Sequence, residues 1–332
     1  MELNTAFLKN LCGIASPSST EENISEVIKE EVSKYVDEVY SDALGNLIAH
    51  KKGTGKKLMF SAHMDQIGLM ITNIDESGFL KFSSVGGLIP FTLIGQRIIF
   101  SNGVIGIIDS EVDLETSQEL SNLSLNKLYI DIGATSKEEA VKKIEIGEMG
   151  TFNAEYYEND DIIISKSIDD RIGCYMLTEV IKEQIETDYD IYYVFTVQEE
   201  VGCRGAITAT YQIEPDLGIA LDITPAGDTP GTKNSNTKIG AGAAIKLMDP
   251  TLMTHPQIKR LLTDKAKENN IKYQNEIMHR GGTDSGEIHI SKNGVPSGDI
   301  SIPTRHAHTA NEMIHKSDVV ESIKLIKAII KK

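Results

Sequence analysis

The chain has 332 residues, 40% hydrophobic and 25% charged, with 27 Gly and 9 Pro, a globular rather than a disordered or collagenous composition. Asp and Glu number 49 against 33 Lys and Arg, and the resulting net charge of −16 argues against partners held by charge, namely nucleic acid or an anionic membrane surface. The length suits about two domains of roughly 150 residues with no need of disulfide staples.

The opening residues 1–10 lack the basic end and continuous apolar stretch of a secretory signal, and no apolar run approaches the roughly 18 residues that span a bilayer. Cys12, Cys174 and Cys203 are too few and too scattered for a disulfide framework or a zinc knuckle, so the expected compartment is the reducing cytoplasm. From Ser19, the pair Ser19 and Glu22 spells a capping box. Ile24, Val27, Ile28, Val32, Tyr35 and Val36 then form one stripe of an amphipathic helix. Residues 38–41 and 47–51 alternate like strands around the turn 42–46, and the apolar run 58–62 stops at His63.

From residue 68 to 164 the texture changes to short β-like runs broken by Gly, with one helix near 137–143, which predicts an inserted β-rich domain. Beyond it, helices over 171–185, 203–211, 256–269 and 318–330 alternate with strands over 190–197, 217–222, 243–247, 271–278 and 298–302. That order predicts an α/β domain, residues 1–67 and 165–332, built on a mixed sheet covered by helices on both faces, with ligands at the strand ends.

Acids and histidines gather at the predicted strand ends: His63 and Asp65, Asp169 and Asp170, Glu199 and Glu200, Asp222, and His306 and His308. Each alone has a plainer reading. The pair Glu199 and Glu200 fits a solvated edge, Asp169 and Asp170 fit a helix N-terminus, and Asp222 fits a turn. Together they do not, because the acids follow continuous apolar strands, and carboxylates crowded at one sheet edge repel unless cations neutralise them. Imidazole and carboxylate donors without thiolate suit zinc, cobalt or manganese, and two such ions need a bridging carboxylate. Adjacent strand residues point to opposite faces, so Glu199 and Glu200 reach one site only if the chain turns after Val197, which Gly202 and Gly205 permit.

The segments SAHMDQIGLM, SIDDRIG, TVQEEVGCRGA, ALDITPAGDTP, GGTDSGE and IPTRHAHTANEM, in this order, resemble the tetrahedral and glutamyl aminopeptidases, a family of dinuclear metallopeptidases; LIGQRIIF and DIGATSKEEA resemble its inserted domain. By position, the resemblance implies that Asp169 bridges two metals, that His63 and Asp222 complete one site, and that Glu200 and His308 complete the other. It makes Glu199 the general base and gives Asp65 the task of holding His63 through a hydrogen bond. It favours His308 over His306 as the ligand. Gln66 stands where the family commonly carries an acid.

The expected function is therefore release of N-terminal amino acids from short peptides with a free N-terminus, using two divalent ions per subunit, zinc or cobalt ahead of manganese. The resemblance also implies dimers, formed with help from the insertion, that assemble into a tetrahedral dodecamer. Rival readings are a related deacylase or carboxypeptidase, a glycoside hydrolase, and a non-catalytic peptide-binding scaffold. The lack of Trp weakens a sugar-binding reading. Arg171, Lys233 and Arg280 are candidates for selecting acidic side chains or for simply balancing the surplus of acids, and Cys174 and Cys203 are read as buried structural thiols.

Overall fold

The computed structural model describes residues 2–112, 123–232 and 235–332. Its main body is an eight-stranded mixed sheet, in the spatial order Glu38–Ser41, Leu47–Lys51, Asp190–Thr196, Lys57–His63, Leu217–Pro225, Ser297–Thr304, Ala243–Met248 and Tyr273–Ile277. Asp190–Thr196, Lys57–His63, Leu217–Pro225 and Ser297–Thr304 pair in parallel, so their carboxyl ends open on one edge. Parallel strands need cover on both faces, and the sequence supplies it. Leu58, Phe60 and Ala62 face the larger core with helices Ile168–Lys182 and Lys316–Ile330. Met59 turns to the other face, against Ala206, Ala209 and Ile213 of helix Arg204–Ile213. Each fully buried Leu or Ile contributes about 1.5–3 kcal/mol of transfer free energy.

The expected insertion is a closed six-stranded barrel. Its strands run from Gly68–Ile74 to Met149–Phe152. It has its own core, including Leu69, Ile71, Leu80, Ile98, Ile108 and Ile130. Strand Ile105–Ser110 shows why short alternating runs close into a barrel: Gly106 and Ile108 are buried while Ile105, Ile107 and Asp109 are exposed. After the barrel, Tyr157–Glu158 and Ile162–Ser165 form a three-stranded sheet with Glu312–His315. Residues 162–164, read as part of the insertion, therefore pair with residues 313–315 near the end of the chain.

Several local expectations fail for identifiable reasons. The capping box is absent: the helix is Glu22–Val32 with Glu21 at its N-cap, and Ser19 adopts a left-handed φ of 79°. The Glu21 carboxylate accepts instead from the main-chain N–H groups of Ser19 at 2.9 Å and Gln198 at 3.0 Å, which ties this corner to the turn before Glu199. The same helix ends before Tyr35 and Val36, which pack on the core from outside it. The helix expected over 137–143 is only Lys137–Ala140. Helix Thr5–Gly13, capped by the Asn4 side chain accepting from Phe7 N–H, and helix Asp284–Ile288 were not expected.

Candidate metal centre

Four adjacent parallel strands deliver the site. His63 is the last residue of its strand, Asp222 lies near the end of the next, Glu199 and Glu200 follow Asp190–Thr196, and His308 follows Ser297–Thr304. Asp169 enters from the start of helix Ile168–Lys182 and is joined to Asp170 by a cis peptide bond. The turn required after Val197 begins at Gln198, whose φ is 55°. It continues through Gly202 at 118°, a conformation glycine adopts without steric cost.

Asp169 stands between the two imidazoles. One carboxylate oxygen lies 3.0 Å from His63 Nε2 and the other 3.2 Å from His308 Nε2. Each ring turns its other nitrogen away: His63 Nδ1 lies 3.1 Å from the Asp65 carbonyl and His308 Nδ1 lies 2.9 Å from the Gly87 carbonyl. A carbonyl accepts only, so Nδ1 carries the proton and, in the neutral ring, the Nε2 lone pair faces the cluster. Asp222 and Glu199 each place an oxygen 3.9 Å from His63 Nε2, and Glu200 places one 4.0 Å from His308 Nε2. His63, Asp169 and Glu200 offer ligand atoms within 4.8 Å of one another.

Asp65 is fully buried, and its role is wider than holding one ring. Its carboxylate accepts from Ser18 Oγ at 2.6 Å, Glu199 N–H at 2.9 Å and Glu200 N–H at 3.2 Å, with Oδ1 3.5 Å from His63 Nδ1. A second buried acid, Glu312, accepts the main-chain N–H groups of Asp169 at 3.0 Å and His308 at 2.8 Å. Sequence reasoning missed Glu312, although it lies in the quoted segment ending HTANEM. It also missed Gly87, through which the barrel reaches the site.

The electrostatics are those of too many carboxylates in too little water. Burial, then the Asp169 charge, pushes Glu200 and Asp222 well above the usual carboxylate range. Burial raises Glu199 to about 7 against the lowering pull of His63, and burial with Asp169 raises Glu312 to about 8. Burial alone would depress His63 and His308, but the surrounding carboxylates, Asp169 foremost with Asp65 and Glu199 at His63 and Glu200 and Glu312 at His308, together outweigh it and hold both imidazoles well above their ordinary value. Glu200 Oε1 is buried with no donor among the described residues. Two Nε2 atoms facing inward, a carboxylate between them and an orphaned acceptor fit divalent cations, for which imidazole and carboxylate are suitable ligands.

The cluster floors a cleft of about 590 Å³, also lined by Ile89, Cys203, Met278, Arg280 and Glu287. Arg280 therefore borders substrate space. Arg171 does not: it is fully buried, donates from Nη1 to the Leu11 carbonyl at 3.2 Å, and has no access to the cleft. Lys233 lies outside the described residues. Cys174 is buried as expected, with its Sγ 3.1 Å from the His63 carbonyl, whereas Cys203 is only partly buried, on the cleft wall. His306 has no contact with the cluster among those described, and Gln66 points away, accepting from Lys166 Nζ at 3.3 Å and from Ser167 Oγ.

A mixed α/β sheet with an inserted barrel and an acid-rich, two-histidine cluster at its strand ends defines a hydrolase of the metal-dependent peptidase class. The M42 glutamyl aminopeptidase family model matches residues 45–325, and the chain belongs to that family, whose members are aminopeptidases. A protein of Acetivibrio thermocellus provisionally named an aminopeptidase is 50% identical over 96% of each chain. Aminopeptidase APDkam598 from the archaeon Desulfurococcus kamchatkensis superposes with a TM-score of 0.92 at 35% identity, covering 98% of this chain and 94% of that one. The TET1 peptidase of Pyrococcus horikoshii, which can assemble into a tetrahedron or a large octahedral shell, gives a TM-score of 0.87 at 29% identity over 99% of each chain. Among the described residues no helix is long and apolar enough to cross a membrane.

Proposed function

We propose that the chain removes N-terminal amino acids from short peptides by a water attack at a two-metal centre. The observation that carries this reading is Asp169, with one oxygen against each inward-facing imidazole, the arrangement a bridging ligand needs. His63 and Asp222 would hold one ion, Glu200 and His308 the other, with Asp169 shared; zinc and cobalt suit these donors ahead of manganese. Such ions polarise a carbonyl and make a bound water acidic near neutral pH.

The remaining chemistry belongs to the chain. Glu199 Oε2 stands 3.9 Å from His63 Nε2 at the cleft wall, placed to take a proton from the attacking water and return it to the leaving amine. Asp65 fixes the turn that carries Glu199 and Glu200 and sits beside His63. The acidic floor favours a free α-ammonium group, which is how the site registers the end of a peptide. The cleft volume lies within the range of about 300–1,000 Å³ common for small-ligand pockets. Dimers assembling into a tetrahedral dodecamer, in the cytoplasm, complete the proposal; the P. horikoshii relative supports the assembly and three unpaired cysteines support the compartment.

A peptide-library digestion tests it, run with chelator, without chelator, and with zinc, cobalt or manganese added back. Chelator-sensitive loss of single N-terminal residues is expected, with N-acetylated peptides untouched. Cleavage of the acetylated series would transfer the site to a deacylase, release from the carboxyl end to a carboxypeptidase, and activity surviving chelation would refute the metal reading.

A further inference from the structure

Cys203 precedes helix Arg204–Ile213 with a left-handed φ of 49°. Its Sγ donates to Glu199 Oε1 at 3.1 Å from the cleft wall. Asp284 commits Oδ2 to Thr196 Oγ1 at 2.6 Å, while its Oδ1 has no hydrogen-bond donor among the described residues although the residue is only 3% exposed. Glu199, Cys203 and Asp284 each offer a ligand atom within 4.8 Å of the others. None of them is needed to hold the ions assigned to His63, Asp222, Glu200, His308 and Asp169, so both sets can be filled together.

We propose that Glu199, Cys203 and Asp284 form a third metal site, selective for a thiophilic divalent ion such as cadmium or excess zinc, that shuts the enzyme down by engaging Glu199. One sulfur and two carboxylate oxygens leave the fourth tetrahedral position to water. Thiolate selects zinc and cadmium over magnesium, calcium and manganese. Binding replaces the thiol proton by the ion and releases that proton to solvent, so affinity rises with pH. Inhibition rests on the reading of Glu199 as the base; the site itself does not.

The test titrates cadmium chloride into the zinc-loaded protein and follows thiolate-to-cadmium absorption in the ultraviolet, bound metal by native mass spectrometry, and peptide hydrolysis. The expected result is one further ion per subunit, the absorption band, and inhibition that rises with occupancy. Cys203→Ser removes the band and weakens inhibition, measured against the variant's own uninhibited rate, by about tenfold or more, the scale that even outer partners of metal sites reach. Asp284→Asn keeps the band but shifts its midpoint to higher cadmium. Cys12 and Cys174, at most 1% exposed, stay silent. A band that survives in Cys203→Ser, or no band in the parent protein, overturns the site. Ion and band without inhibition keep the site and instead refute Glu199 as the base.

Discussion

Asp65→Asn asks whether one buried carboxylate sets the geometry of the whole centre. Its oxygens serve Ser18 Oγ, Glu199 N–H and Glu200 N–H, with Oδ1 on Glu199 and Oδ2 on the other two. An amide keeps the shape but has one acceptor oxygen and an NH₂ group. Whichever way it turns, a donor meets the N–H of Glu199 or of Glu200. An unpaired buried donor costs about 1–3 kcal/mol. The turn that must relieve this clash carries both glutamates, and a displacement of about 1 Å costs roughly 100-fold in rate. The variant should therefore lose about 1–3 kcal/mol in urea unfolding and about 100-fold in kcat on a short free-amine peptide. The pH dependence has a definite sign. Burial alone would raise the Asp65 carboxyl, but the bonds to His63, Ser18 and Glu199 outweigh it and hold it below its ordinary value of 3.8. A lowered folded value gives stability that is present above the unfolded value and lost as pH falls through the folded one, so the gap between parent and variant should narrow in acid. Equal unfolding midpoints and equal kcat at neutral pH would refute the reasoning.

Glu199→Gln keeps the volume but cannot carry the proton, so kcat should fall by about 10²–10⁴ while metal content by mass stays unchanged; full turnover would remove Glu199 as the base. Gly87→Ala would put a Cβ 2.9 Å from His308 Nδ1 and swing the ring away from Asp169. Metal affinity should drop by about 10–100-fold in chelator competition, and an unchanged affinity would show that the barrel does not orient His308. Chelated protein should lose stability as pH rises from about 5 to 8, because burial holds Asp284 at about 6, Glu199 at about 7 and Glu312 at about 8. These raised groups bind protons in the folded state that the unfolded chain has already released, and the raised imidazoles act in the same direction. Urea midpoints that rise over this interval would contradict the sign, and restored zinc should flatten the slope.

The architecture was legible where hydrophobic period and length decide it. Short, largely apolar runs such as residues 58–62 and 217–222 are too short for core helices and so read as buried strands, and alternation with helices of about ten residues or more orders them into a two-sided sheet. The barrel was legible as β-rich but not as closed, since closure depends on pairing Gly68–Ile74 with both Leu80–Val85 and the distant Met149–Phe152. The Ser19 and Glu22 capping pattern misled because Glu21, one residue earlier, is drawn by the Gln198 main chain, a partner far off in sequence. Local propensity lost to a tertiary hydrogen bond.

At the site, the residue types that can hold a cation are visible in the chain, whereas what orients them is mostly main chain and has no letter of its own. His63 is aimed by the Asp65 carbonyl and His308 by the Gly87 carbonyl, main-chain oxygens that no side-chain letter announces. Glu312 and Asp65 act by gathering N–H groups, two each from the loops that present the cluster. A carboxylate that binds backbone looks, in sequence, like one that faces solvent or metal. Cys203 shows the same blindness from the other side: nothing in its neighbours distinguishes a buried thiol from one at the cleft wall, and only the turn opened at Gln198 places its sulfur against Glu199. The inventory of a metal centre is thus written in side chains, and its geometry in the strand ends and turns that the sheet order imposes.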